Sequence, residues 1–431
     1  MKIAVIGGGG VRTPLLVHGL TRSNLPIREI ALFDIARDRL ATMAPLAQRL
    51  SAGVAISRCD SIEHCLEHSA FVFTSIRVGG IEARARDEQT TLSFGILGQE
   101  TVGPGGFAMA MRTIPAMVEY ARQVERHAPD AWIVNFTNPV GIITQAVRNA
   151  SAAKIIGICD TPTELFYEIA HALNLPATEC AFDYFGLNHL GWVREVFHRG
   201  RPALHTLWES PEKLHSIYRS PLFEPDFLSR LRLLPTEYLY YYYRPADALE
   251  HLRRAGSSRG AVIQQLNARL FEDLSRPGTD TVAVYEAYLT ARNAGYMQIE
   301  SGATRSDVAS PWEGPTGYDK IALAVVEAIH TNSGTILPLN VVNRGNLPEL
   351  EDDDVIEVPC AVNGNGAQPL HVGSLPPQVR DLVVQVKDYE RLTVAAALSG
   401  DRHTAAKALA SNPLVSDSTV AEQLVQVLLD A

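Results

Sequence analysis

The chain has 431 residues, room for two or three domains at about 100–200 residues each. Hydrophobic residues make up 46% and charged residues 20%, which supplies a large core and excludes a disordered chain. Lys and Arg total 38 against 48 Asp and Glu, a net charge of −10; this argues against a nucleic-acid binder, and no apolar run reaches the ~18 residues of a membrane span. Met1 to Ile6 runs straight into Gly7, which does not read as a secretory signal. Five scattered cysteines, at 59, 65, 159, 180 and 360, suggest free thiols in a reducing cytoplasm.

In chain order, short apolar runs alternate with helical spacing. The runs are Ile3 to Ile6, Ile30 to Phe33, Phe71 to Ser75, Trp132 to Phe136 and Ile155 to Ile158. Between them, Leu40, Met43, Leu46 and Leu50 recur at helical intervals. Runs with no polar alternation read as strands buried on both faces, and the alternation predicts an α/β, Rossmann-like doubly wound parallel sheet. The sheet domain is expected to end between 160 and 190. The division taken is 1–190 for the nucleotide-binding domain and 191–431 for an α+β substrate-binding and oligomerisation domain. Within the latter, 200–300 reads as mostly helical, Thr316 to His330 as a helix, 336–371 as strands with an acidic turn at Glu349 to Asp354, and the chain from Gln378 as helical.

Gly7-Gly8-Gly9-Gly10 follows the first strand and precedes a helix. Glycines let such a turn close and let a pyrophosphate approach the backbone, and the next helix offers free N–H groups. Val11 and Arg12 complete the loop, with Arg12 where a third glycine is expected. Asp34 closes the second strand, where a carboxylate accepts the ribose hydroxyls of NAD.

Four further segments fall at strand ends, where open α/β sheets bind ligands. They are Arg77 to Glu88, Asn135 to Pro139, Ile158 to Pro162 and Gly186 to Trp192; a glycine-rich loop, Gly98 to Gly106, also precedes a helix. Taken singly, none is diagnostic. A cysteine such as Cys159 is more often a small buried hydrophobe. A lone histidine such as His189 is more often structural. The run Tyr238 to Tyr243 is more often core or interface packing than catalysis.

Together these segments resemble glycoside hydrolase family 4, the NAD- and manganese-dependent glycosidases. The resemblance rests on Ile3 to Gly10, Gly98 to Gly106, Val134 to Pro139, Cys159 to Pro162 and Gly186 to His189, and spans nearly the whole chain. Gly186 to Trp192 and the Tyr238 segment are most similar to members that cleave 6-phospho-β-glucosides. The resemblance implies a cytoplasmic homodimer or homotetramer that releases glucose 6-phosphate and an aglycone. It also implies the route: transient oxidation at C3 by NAD, deprotonation at C2, elimination and water addition. Cys159 and His189 would be metal ligands; the donor atoms alone suggest zinc or iron before manganese, so Mn²⁺ is implied by the resemblance. Tyr238 would be the catalytic base. Asn138 would line the cofactor and sugar, Asn188 would hold a sugar hydroxyl, and Arg84 and Arg259 would meet the phosphate. Asp160 departs from the β-specific pattern, which has Asn, and matches the 6-phospho-α-glucosidases, where Asp is the proposed general acid. It would protonate the departing oxygen or hydrogen-bond a hydroxyl; the other motifs lean towards β. A lactate- or malate-type dehydrogenase is the rival enzyme.

Overall fold

A computed structural model describes residues 1–218, 222–302, 310–415 and 417–430. The first half supplies β1 (Lys2–Ile6), β2 (Glu29–Phe33), β3 (Ala55–Arg58), β4 (Ser69–Thr74), β5 (Trp132–Asn135) and β6 (Lys154–Gly157). All six pair in parallel, in the order β3-β2-β1-β4-β5-β6. This is the strand order of a dinucleotide-binding sheet, which reverses between β1 and β4 and opens a crevice there. Helices cross between strands on both faces, so the middles of the central strands carry apolar side chains: Ile3, Ala4, Val5, Val72 and Phe73 are fully buried.

A hairpin of β7 (Cys180–Leu187) and β8 (Leu190–His198) builds a second, antiparallel sheet, joined by the short β9 (Arg201–Pro202) and β10 (Leu234–Pro235). Later in the chain, β11 (Thr335–Val342), β12 (Val355–Asn363) and β13 (Gly366–Pro369) return to the first sheet. They add antiparallel beyond β6, so that among the described residues the sheet has nine strands. A cut at 190 therefore follows the chain and not the sheet, which is shared by both halves. The helices Tyr318–Thr331, Pro377–Ser399, Arg402–Ser411 and Ser418–Leu429 complete the shell. Among the described residues, no helix is long and apolar enough to cross a membrane, and the cysteines are free.

The tyrosine run folds as a 3₁₀ turn, Glu237–Leu239, followed by the short helix Tyr240–Tyr243. Tyr238, Tyr240 and Tyr241 are buried. The run packs into the core and does not form an exposed aromatic face.

Candidate active site

One cavity of about 680 Å³ occupies the crevice beyond β1 and β4 and extends past the ends of β5 and β6. Its nucleotide end is the glycine turn. Gly7 takes φ +92°, and a Cβ there would lie 2.3 Å from the Ser75 carbonyl oxygen after β4, so no larger residue closes this turn. The amides of Gly7 and Gly8 donate to the Phe33 carbonyl, each at 2.9 Å. Asp34 binds the loop itself: Gly9 N donates to Oδ2 at 2.9 Å and Ala36 N to Oδ1 at 2.8 Å. Gly7, Gly9, Gly10, Val11, Arg12 and Asp34 line the cavity, whereas Gly8 is buried behind it against β2. Arg12 starts the helix Thr13–Thr21, its guanidinium 5.0 Å from the Tyr318 ring centre. An open glycine turn, a helix N-terminus and a carboxylate after β2 fit a dinucleotide.

The reaction end is built where β6 stops and the β7–β8 hairpin turns. Cys159 Sγ lies 3.3 Å from His189 Nε2, and both residues are buried and line the cavity. Metal bonds of zinc-site length would separate a sulfur and a nitrogen ligand by roughly 3.1 to 3.6 Å, so one divalent cation fits the pair. Among the described residues, no group of three or more His, Cys, Asp or Glu side chains forms a metal cage; further ligands would come from substrate or water. His189 Nδ1 lies 2.7 Å from Thr101 Oγ1, which places the Gly98 to Gly106 loop behind the imidazole. Burial pushes this imidazole down to about 3, so it is neutral with a lone pair to give. Burial, then the charges of Glu357 and Asp160, push the Cys159 thiol up; a bound cation would reverse that.

The Tyr238 ring stacks on His189, with centroids 3.8 Å apart and planes 3° from parallel. Burial, then Glu237, push its phenol up. Glu237 is tied to the helix that Asp160 starts: Thr161 Oγ1 donates to its Oε1 at 3.0 Å, and Tyr296 Oη donates to the same oxygen at 2.8 Å. Asp160 and Asn138 line the cavity beside this group. The loop bearing Asn138 is held by Thr137, whose Oγ1 accepts from Ile76 N at 3.1 Å.

Opposite lies a basic wall of Arg77, Arg84, Arg259 and Arg292. Arg84 Nε donates to Glu88 Oε1 at 2.8 Å, and Arg77 and Arg84 both pair with Glu100. Burial alone would raise Glu100, but Arg77 and Arg84 outweigh it and hold the carboxyl well below its usual range. Arg77 Nη1 is buried and has no partner among the described residues; a donor left so asks for an anionic oxygen. Arg259 Nη2 donates to the Arg292 carbonyl.

Asn188 stands apart from the other residues expected at the reaction end. It does not line the cavity; its amide donates to the buried Glu357 at 3.1 Å. Sequence reasoning did not find Arg292, Tyr296, Glu237 or Glu357. Arg77 was visible only as part of a strand-end segment.

The pattern described as family 4 glycosyl hydrolase matches residues 2–175, and that of the family's C-terminal domain matches 184–415. A probable 6-phospho-β-glucosidase of Bacillus subtilis is 34% identical, over 100% of this chain and 96% of its own. The 6-phospho-β-glucosidase of Thermotoga maritima, solved with NAD and glucose 6-phosphate, superposes with a TM-score of 0.86 at 31% identity, covering 100% of this chain and 98% of that one. A second structure of that enzyme contains manganese, NAD⁺ and glucose 6-phosphate, with a TM-score of 0.83 at 30% identity and the same coverage. A 6-phospho-α-glucosidase from gut microorganisms, with NAD and glucose 6-phosphate, gives 0.83 at 28% identity over 100% of this chain and 97% of its own.

Proposed function

The chain belongs to the family 4 glycosyl hydrolases, and from that premise we propose that it hydrolyses 6-phospho-β-glucosides to glucose 6-phosphate and an aglycone, using NAD and a divalent cation such as Mn²⁺. The observation that carries the reading is the convergence of the Cys159–His189 pair, the Tyr238 ring and four arginines on one crevice that begins at a nucleotide turn. When bound, NAD would supply transient oxidation at the sugar C3 with no net consumption, and the cation would supply Lewis acidity at the C2 and C3 oxygens.

The chain's own residues do the rest. The glycine turn and the start of the helix Thr13–Thr21 orient the dinucleotide. Cys159 and His189 hold the cation. Tyr238 Oη takes the C2 proton, which a neighbouring C3 ketone makes acidic. Stacking on His189 keeps the phenol beside the cation site, where positive charge favours its ionised form. Loss of that proton expels the aglycone from C1, and water adds back. Asp160 faces the departing oxygen or a sugar hydroxyl. Arg84 and Arg259, with Arg77 and Arg292, take the 6-phosphate, for which the planar guanidinium fork offers paired donors. Asn138 orients the sugar against the cofactor.

A cytoplasmic setting accords with a metal-ligand thiol that must stay reduced. The assembly, a homodimer or homotetramer, is what the family resemblance implies. A second reading, cleavage of 6-phospho-α-glucosides, is favoured by Asp160 alone.

Incubation with NAD, Mn²⁺, a thiol reductant and paired α- and β-linked 6-phosphoglycosides in D₂O tests the proposal. The β substrate should be cleaved faster, its product should carry deuterium at C2, and absorbance from NADH should stay flat. Preference for the α substrate would replace the anomer. Accumulating NADH would favour a dehydrogenase, and an unlabelled C2 would exclude the elimination route.

A further inference from the structure

Glu357 is a carboxylate that never reaches the cavity. It is the third residue of β12, fully buried. Tyr184 Oη donates to its Oε2 at 2.7 Å, while Asn188 Nδ2 and Asn340 Nδ2 donate to Oε1 at 3.1 and 2.8 Å. These donors stand on elements that lead to the two cation ligands. Asn340 in β11 is the residue paired with Gly157 at the end of β6, two residues before Cys159. Asn188 lies in the two-residue turn between β7 and β8, next to His189. His189 takes φ +61°, a left-handed conformation that a residue with a Cβ seldom adopts unless its surroundings impose it. The path from β7 is kept clear as well: a Cβ on Gly191 would fall 2.0 Å from Tyr184 Oη.

We propose that Glu357 is a positioning residue for the divalent-cation site, holding the Asn188–His189 turn against the end of β6 so that the imidazole Nε2 meets Cys159 Sγ. Asn188 thus serves the protein and not a sugar hydroxyl. The proposal rests on the reading of Cys159 and His189 as the cation's ligands. The side-chain oxygens of Glu357 accept hydrogen bonds, which matches the two amide donors and the phenol around them. Outer partners that orient a metal-binding histidine change affinity by ~10–100-fold when removed.

The test is Mn²⁺ binding to the full chain without sugar, read as free Mn²⁺ by electron paramagnetic resonance. Glu357→Gln keeps the shape of the side chain, and it should weaken Mn²⁺ by ~10–100-fold while NAD affinity, followed by tryptophan fluorescence, stays within about twofold. Asn188→Ala, which leaves Glu357 and its other donors in place, should weaken Mn²⁺ in the same direction, so the proposal does not depend on one variant folding. If both variants bind Mn²⁺ like the parent, the proposal is overturned. It is also overturned if Asn188→Ala leaves Mn²⁺ alone and raises only KM for the phosphosugar. Cys159→Ser reports on the premise separately. Its loss of Mn²⁺ binding upholds the cation reading whatever Glu357 does, and Mn²⁺ binding unchanged in Cys159→Ser would remove premise and proposal together.

Discussion

Tyr238 stacks flat on His189, which holds its phenol beside the proposed cation site. A general base contributes about 10²–10⁴-fold, so Tyr238→Phe should lose kcat by that order. Mn²⁺ affinity and KM should hold within about threefold, because the ring and its stacking remain; steady-state kinetics and metal titration check this. Arg77 gives a different signature. Its buried Nη1 is unpaired among the described residues, and a hydrogen bond to a charged group is worth about 1.5–3 kcal/mol. Arg77→Met should raise KM for the phosphorylated glucoside by ~10–100-fold, read by steady-state kinetics. Asp160 separates the two anomers. With a poor leaving group, Asp160→Asn should cost only a few-fold in kcat; near-complete loss with a poor leaving group, rescued by a good one, would assign Asp160 as the acid of an α enzyme.

The glycine turn between β1 and the helix Thr13–Thr21 shows what an element contributes beyond its residues. Its shape is fixed by φ +92° at Gly7 and by contact with the chain after β4, so the nucleotide seat and the switch point of the sheet are one construction. Gly7→Ala should lower NAD affinity at least ~10-fold and reduce thermal stability, measured by calorimetry with and without NAD, since the added methyl meets backbone and not a side chain that can turn away. Such elements were legible in the sequence. The runs Ile3 to Ile6, Ile30 to Phe33, Phe71 to Ser75, Trp132 to Phe136 and Ile155 to Ile158 fall within two residues of β1, β2, β4, β5 and β6, because a strand buried on both faces has no polar alternation to obscure it. β3 was missed: Ala55–Arg58 lies at the sheet edge with half-exposed side chains, where that signal fades. The strands in 336–371 were read as strands, but their docking onto β6 is a tertiary pairing that no local pattern encodes. The site divides the same way. Cys159 and His189 stand at strand ends or turns, where chemistry is sought. Glu357 stands inside a strand, where an acidic residue ordinarily reads as a solvent-facing position.

At the scale of the whole molecule, Glu357 marks the seam between the two sheets, for β12 belongs to the first sheet and packs against β7 of the second. Burial raises its carboxyl from 4.5 to about 7. Between those values the folded chain keeps a proton that the unfolded chain has released. Stability from this group is therefore fully present below pH 4.5 and is lost as pH rises through 7. At ~1.4 kcal/mol per pH unit the loss is on the order of 3 kcal/mol. His18 works in the opposite sense. Burial, helped by Arg22 and Lys320, lowers it from 6.5 to about 4, so its contribution is complete above pH 6.5 and lost as pH falls through 4. The two slopes partly cancel in the parent, and a single melting curve would hide both. Glu357→Gln removes only one of them. The stability of the metal-free parent relative to this variant should fall steadily from pH 5 to pH 7, read by urea unfolding at each pH. A parent-to-variant difference that stays constant across that range would mean that Glu357 is already ionised at pH 5 and that the seam carries a fixed charge at every working pH.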